Sequence, residues 1–403
     1  MAIDPKTLQG LLKYAVQSNA SDIHFRSGAA PAFRIKGDLV NVKLAPFTDE
    51  DMVELAKMMI DDPQINAQLD QITDFDGSFD LPGICRYRFN IFRHGGALGA
   101  VLRVIPMKIP TIAELGLSTV LQRIADYDRG LVLVTGATGS GKSSTLAAMI
   151  DYINSKRACH IVTIEDPIEF VHPQRKARIT QREVGRDTES FSGALRAALR
   201  QDPDIILVGE MRDAETIDIA LKAAETGHIV FSTVHTTDAA KTINRLISIF
   251  PAEEQQQVRL RLADCLRGTI SQRLLPRKDG RGRVVAQEIM VVNKAIQECI
   301  IDSTRAHEIN DFIVNGHEIL GSQTFDQHVV KLYKSGVIAL EIAKEASSNA
   351  ADFQRNLQFS SDNSGQKTGI NTSMMRQRGT GVENEGQQVV LDVGSKVAEK
   401  KPA

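Results

Sequence analysis

Gly136-Ala137-Thr138-Gly139-Ser140-Gly141-Lys142-Ser143-Ser144 packs glycines, hydroxyls and one lysine into a single short run. The spacing Gly136-x4-Gly141-Lys142-Ser143 is that of a phosphate-binding loop. Glycines allow a backbone that curls with successive N–H groups turned inward toward phosphate oxygens. A helix opening at Lys142 adds the positive end of its dipole. Lys142 is placed to reach the β- and γ-phosphates of a nucleoside triphosphate, and the Ser143 hydroxyl to bind Mg²⁺. The apolar run 131–134 just before the loop reads as a short buried strand. Strand, loop and helix therefore come in the order this chemistry needs, and ATP with Mg²⁺ is the expected ligand.

Further chemistry-bearing residues sit at the ends of later apolar runs. Thr163-Ile164-Glu165-Asp166-Pro167-Ile168-Glu169-Phe170 offers Glu165, a carboxylate expected at the end of a strand next to the loop-bearing strand, where it could orient or deprotonate water. Ile205-Ile206-Leu207-Val208-Gly209-Glu210 ends in Glu210, where nucleotide hydrolases hold Mg²⁺, directly or through water. The run alone leaves open which of the two glutamates is the base. Gly227-His228 and Val234-His235-Thr236-Thr237 flank a fourth apolar run. Both histidines are expected at the nucleotide edge, His235 as a γ-phosphate sensor and His228 as a binding residue. Earlier in the chain, Arg88 in Arg86-Tyr87-Arg88-Phe89-Asn90 and Arg103 in Leu102-Arg103-Val104 fall on neighbouring strand patterns. They are candidates for arginines that stabilise transition-state charge.

The elements that must position these residues follow from periodicity. Residues 1–105 read as a mixed α/β domain, with helical spacing over Leu8, Leu11, Leu12 and Val16, a start at Thr7, and a capped helix over 49–60. Strands are expected at 32–35, 87–92 and 99–105. Ile105-Pro106-Met107-Lys108-Ile109-Pro110 breaks both patterns, so 106–110 is the expected linker. From 111 onward strands at 131–135, 160–164, 205–208 and 229–234 alternate with helices at 142–155, 190–200, 214–226 and 238–249. Such alternation implies a largely parallel sheet with helices on its faces and its ligand beyond the carboxyl ends of the strands. Residues 284–357 read as short helices, closing a second domain over 111–357. After Phe359 the composition turns to Gly, Ser, Asn, Gln and Thr, so a disordered tail is expected over 358–403.

Composition excludes several classes. With 403 residues, 42% hydrophobic and 24% charged, the chain has the make-up of an ordinary globular protein of two to three domains. No apolar run approaches the roughly 18 residues of a membrane span, and the start, Met-Ala-Ile-Asp-Pro-Lys, has no secretory pattern. Cys85, Cys159, Cys265 and Cys299 are scattered, which excludes paired-cysteine zinc motifs and suits reduced cytoplasmic thiols. The net charge of −2, with 5% aromatic residues, argues against nucleic acid as a partner.

Taken together, Gly136–Ser143, 163–170, 204–210 and 227–237 resemble, in order, the four motifs of the secretion-type ATPase superfamily typified by GspE, PilB and PilT. The resemblance runs from Ser21-Asp22-Ile23-His24 to about residue 357 and is strongest to the pilus-retraction branch. It implies a PAS-like N-terminal domain, a RecA-like ATPase domain and a homo-hexameric ring in which ATP hydrolysis moves one domain against the other. It also implies that Arg88 and Arg103 reach the phosphates. A peripheral site at the cytoplasmic face of the inner membrane is implied too, against a pilus platform protein and alongside a paralogous retraction ATPase. Extension and secretion motors carry an extra N-terminal region and a four-cysteine zinc module, and their absence here favours retraction. One departure stands out: the branch's Ala-Ile-Arg-Asn-Leu-Ile-Arg-Glu is here Ala295-Ile296-Gln297-Glu298-Cys299-Ile300-Ile301-Asp302, without either arginine. That departure keeps an accessory retraction paralogue as the alternative. A RecA-like nucleic-acid translocase, and a ring subunit that does not hydrolyse ATP, are further readings; intact Lys142, Ser143, Glu165 and Glu210 speak against the second.

Overall fold

Cys85-Arg86-Tyr87-Arg88-Phe89-Asn90-Ile91 alternates apolar and polar side chains, the pattern of a strand with one buried face. The computed structural model, which describes residues 3–35, 37–106, 108–348 and 353, bears this out. The strands β1 (Ala20–Arg26), β2 (Ala32–Ile35), β3 (Asp38–Asn41), β4 (Asp74–Leu81), β5 (Cys85–His94) and β6 (Ala97–Pro106) form one antiparallel sheet in the order β3-β2-β1-β6-β5-β4. Tyr87, Phe89 and Ile91 on one face pack with Leu8, Leu11 and Leu12 of the helix Pro5–Gln17 and with Met52 and Leu55 of the helix Asp49–Met59. The Tyr87 hydroxyl donates to Leu12 O at 2.7 Å, which ties helix to sheet in the core. Arg86, Arg88 and Arg103 project from the opposite face, with Arg88 directly across the ladder from Arg103.

Both helices are capped by acidic or hydroxyl side chains. Thr48 and Asp51 form a reciprocal capping box on the second. The first begins before Thr7: the Asp4 carboxylate accepts from Lys6 N and Thr7 N at 2.8 and 3.0 Å, with Pro5 in the first turn. A carboxylate ahead of proline is the stronger start signal.

The second sheet contains β7 (Gly130–Thr135), β8 (His160–Glu165), β9 (Arg178–Glu183), β10 (Ile205–Val208), β11 (Ile229–Val234), β12 (Leu266–Pro276) and β13 (Arg283–Val291), ordered β13-β12-β7-β11-β10-β8-β9. All its pairings are parallel except β12 with β13. Each buried strand feeds both faces in turn. Leu131 and Leu133 join a core with the helices Phe191–Ala198, Ala214–Glu225 and Ala239–Ser248, whereas Val132 and Val134 join one with the helix Lys142–Lys156. Each such side chain, fully buried, contributes about 1.5–3 kcal/mol. The parallel sheet with helices on both faces is thus as expected.

Three strands of this sheet were not anticipated, nor were β3 and β4 of the first. β9 carries a single strongly apolar residue, Ile179, because it is an edge strand held mainly by its ladder with β8. β12 and β13 lack clean alternation because both are buried almost throughout. β13 corrects the helical expectation at its position, and the helices Lys294–Ile301, Ile309–Asn315, Phe325–Lys334 and Leu340–Ala346 follow it. Between the sheets, β6 runs through Pro106, and residues 108–110 carry no regular structure. The tail expected over 358–403 lies outside the described residues.

Candidate active site

The loop after β7 is shaped by backbone conformations that only glycine adopts readily. Gly136, Gly139 and Gly141 have φ of 142°, 77° and 91°. A Cβ on Gly136 would also meet Ser140 Oγ at 2.5 Å and Gln272 O at 2.6 Å, so nothing larger fits. Gly141 has no side chain with which to cap the helix Lys142–Lys156, which leaves its first-turn N–H groups for a ligand. Lys142 is 8% exposed, and its ammonium donates to Gly136 O at 2.9 Å and Ala137 O at 3.2 Å. Burial lowers the Lys142 pKa, while Glu210 and Glu169 pull it back up. A buried cation resting on two backbone carbonyls suits a site that takes in anionic phosphate.

Beside the loop opens a cavity of about 520 Å³. Thr138, Gly139, Gly141, Lys142, Ser143 and Ser144 line it, together with Glu165, Glu210, His235 and Arg103. Gly136 and Ala137 contribute through their carbonyls, and the Ser140 side chain turns inward beneath Gly136.

His235, just past β11, connects the loop to the acidic end of β10. Its Nδ1 lies 3.5 Å from the Lys142 ammonium and its Nε2 lies 3.2 Å from Glu210 Oε1. A proton on Nε2 satisfies both contacts: the ring accepts from Lys142 and donates to Glu210. The second carboxylate oxygen of Glu210 is held by Arg212 at 2.6 Å. Burial disfavours the Glu210 charge, but the Arg212 hydrogen bond and His235 outweigh it and hold this carboxyl below its ordinary range. Gly209 is required one residue earlier, since a Cβ there would press on Ile164 O at 3.2 Å and Glu165 Cα at 3.3 Å.

Glu165 is in the opposite electrostatic situation. Burial raises its pKa, against hydrogen bonds from Thr163 Oγ1 at 2.7 Å and Gln181 Nε2 at 3.2 Å. Its strand is not next to β7 as expected: β11 and β10 intervene, placing β8 roughly 14 Å away at about 4.8 Å per strand. Glu165 reaches the cavity because the cavity spans the strand ends rather than sitting on one. Arg103 reaches it from the first sheet, its guanidinium 68% exposed and its Nε 3.0 Å from Asp22 Oδ1. Arg88, its ladder partner, does not line the cavity among the described residues.

His228 corrects the expectation that both histidines face the nucleotide. It precedes β11, at the amino end of a parallel sheet, with Nδ1 3.0 Å from Ala223 O. His235 lies at the other end of the strand, seven residues on and about 23 Å away at roughly 3.3 Å per residue. Residues not anticipated are Gln181, Asp22, Arg212 and Arg283, the last two both cavity residues. The charged run Glu210-Met211-Arg212-Asp213 was the available signal for Arg212; Gln181 had none, because β9 itself was not foreseen.

The cavity's donor set bears on Mg²⁺. Among the described residues no group of three or more His, Cys, Asp or Glu could hold a metal alone. Mg²⁺ takes one or two protein oxygens and completes its shell with phosphate and water. Ser143 supplies a hydroxyl, and Glu210, with both oxygens engaged, fits as a partner through water.

A glycine-built phosphate loop at the carboxyl edge of a parallel sheet, with an arginine-bearing sheet beside it, defines a P-loop ATPase. The chain belongs to the Type II/IV secretion system protein family, whose description matches residues 2–335. It is 48% identical over 335 residues, covering 83% of this chain and 96% of the relative, to the type IV pilus retraction ATPase PilT of Pseudomonas aeruginosa. It is 46% identical to the twitching motility protein of Neisseria gonorrhoeae over 79% of this chain and 85% of that one. A crystal structure of the pilus retraction motor PilT with bound ADP superposes with a TM-score of 0.79 at 45% identity, covering 86% of this chain and 99% of the other. No helix among the described residues is long and apolar enough to cross a membrane.

Proposed function

We propose that this chain is an ATPase motor that works as a homo-hexameric ring at the cytoplasmic face of the inner membrane and powers type IV pilus retraction. The observation that carries the reading is the joining of Lys142, His235, Glu210 and Arg212 into one charged series beside a cavity that Arg103 enters from the other sheet. Likeness along almost the whole length of retraction and twitching proteins supports it.

In this reading the loop amides and Lys142 take the β- and γ-phosphates, the ammonium exchanging its two carbonyl partners for phosphate oxygens. Ser143 and Glu210 would hold Mg²⁺, which when bound would neutralise charge on the phosphate oxygens. Water attacks the γ-phosphorus in line, the bond to the β-phosphate oxygen breaks, and the proton passes to a carboxylate. Glu165 is the better base, since burial raises its basicity while Glu210 is held ionised by two donors. His235 reports phosphate occupancy from Lys142 to Glu210. Arg103, with Arg88 behind it, stabilises the developing charge. The chain then acts as a lobe over 1–105 and an ATPase lobe over 111–357 that rotate about 106–110 and convert turnover into work on a platform protein, alongside a paralogous ATPase.

The accessory reading draws on one observation. The helix Lys294–Ile301 buries Ile296, Cys299 and Ile300, so Gln297 stands on the face where the retraction branch has its first arginine. Deletion of the gene separates the readings. A primary retraction motor leaves cells piliated and non-twitching, rescued by the intact chain but not by Lys142→Ala. Normal twitching after deletion would remove the primary role.

A further inference from the structure

One ion pair ties the two sheets together. Arg86 Nη2 lies 3.2 Å from Glu183 Oε2, each side chain 11% exposed. Arg86 is on β5, two residues before Arg88 and on the same face. Glu183 is on β9 and is the direct ladder partner of Glu165. The pair therefore joins the arginine-bearing strand to the strand neighbour of the candidate base.

The partners of each group sharpen this placement. The same Glu183 oxygen accepts from Ile168 N at 3.2 Å, which fixes the loop that carries Asp166 and Glu169 along the cavity. Arg86 Nη2 also donates to Ser78 Oγ at 2.7 Å, and Arg186, in the turn after β9, donates to the same oxygen at 3.1 Å. Ser78 stands opposite Arg88 in the ladder with β4. A cation and a carboxylate this deeply buried lose their water, so leaving the carboxylate unpaired is costly. Sliding one sheet past the other would strand Glu183 and leave Arg86 only the more distant Asp80, at 3.9 Å on its own sheet.

We propose that Arg86 and Glu183 are a positioning pair that sets Arg103 over the phosphate end of the cavity. The proposal rests on reading Arg103 as a stabiliser of the transition state. Among the described residues Arg86 itself does not line the cavity. The pair acts on the reaction through the register it imposes, so its loss lowers turnover and spares nucleotide affinity.

The test is steady-state hydrolysis and fluorescent-ADP binding by the purified full chain. Glu183→Gln keeps an acceptor for Ile168 N and removes the charge; it should lower kcat at least tenfold with Kd changed less than twofold. Arg86→Met, with an apolar stem of similar reach, should do the same. In an Arg103→Ala background, Glu183→Gln should add less than a twofold further loss, because the arginine it positions is already gone. Wild-type kcat in both single variants, or full multiplicative loss in the Arg103→Ala background, overturns the proposal. Unchanged kcat in Arg103→Ala would instead remove the reading beneath it. A single variant that fails to fold is replaced by Arg86→Met/Glu183→Leu, which leaves no lone buried charge and should still be slow; wild-type kcat there also overturns the proposal.

Discussion

The two sheets hold their cations in contrasting ways. In the seven-stranded sheet Lys142 is 8% exposed and rests on two backbone carbonyls, inside a loop whose shape three glycines dictate. In the six-stranded sheet the Arg103 guanidinium is 68% exposed and is steadied by a single carboxylate, Asp22. Backbone fixes the first; a side chain on a separate sheet supplies the second. The lesson is that the phosphate loop carries its own shape in its backbone, whereas the place of Arg103 depends on how the two sheets pack against each other.

The sharpest way to break that contrast is to remove each cation in turn. Lys142→Ala should abolish both functions, with nucleotide affinity down about 10²-fold and hydrolysis below about 10⁻³ of normal, read by fluorescent-nucleotide titration and phosphate release. Arg103→Ala should split them, lowering kcat about 10³-fold with affinity within a few-fold. Equal losses of affinity and turnover in Arg103→Ala would mean that both halves bind substrate, and the contrast would collapse.

The acidic residues sharpen it further. A base must be ionised, and burial raises the Glu165 pKa. The acid limb of the kcat profile should therefore lie above the ordinary value of 4.5, with activity falling as pH drops through it. Glu165→Gln should cost about 10²-fold and abolish that limb. A limb that survives in Glu165→Gln and disappears in Glu210→Gln would move the base to β10.

The smallest effect concerns stability. His172, a cavity residue, and His328, which accepts from Gln287 N at 2.9 Å, are buried, and burial lowers each pKa from 6.5 to about 4. The unfolded chain then binds more protons than the folded one between those values. Stability is complete above pH 6.5 and declines as pH falls toward 4, by at most about 3 kcal/mol per histidine. Urea midpoints across that range should show the slope, and His172→Gln/His328→Gln should flatten it. An unchanged slope would place the acid sensitivity in other titrating groups, the shifted carboxyls Glu210, Asp218 and Asp238 among them.

Much of this molecule was legible in one dimension because its determinants are local. The phosphate loop depends on glycine conformations within a few residues, the strand before it on an unbroken apolar run, and Glu210 on its place at the end of another. The alternation of strand and helix was enough to imply a parallel sheet and the edge at which its ligand lies. Strand order was not available in the same way. Nothing near Glu165 says that two strands separate it from β7. His228 was different: its place just before the expected strand 229–234 already put it at the amino end, away from the ligand edge. Edge strand β9 and the buried β13 lack a readable period because their side chains answer to neighbours distant in the chain.

The spacing of glycines, lysine and carboxylates thus specified which chemistry the chain can perform, since those conformational and charge requirements are met within each segment. Folding settled which groups meet. The face-to-face register of Arg88 with Arg103, the contact of His235 with both Lys142 and Glu210, and the Arg86–Glu183 tie all join residues far apart in sequence. Only packing could choose among such pairings, because their energies depend on burial and distance that no local segment contains.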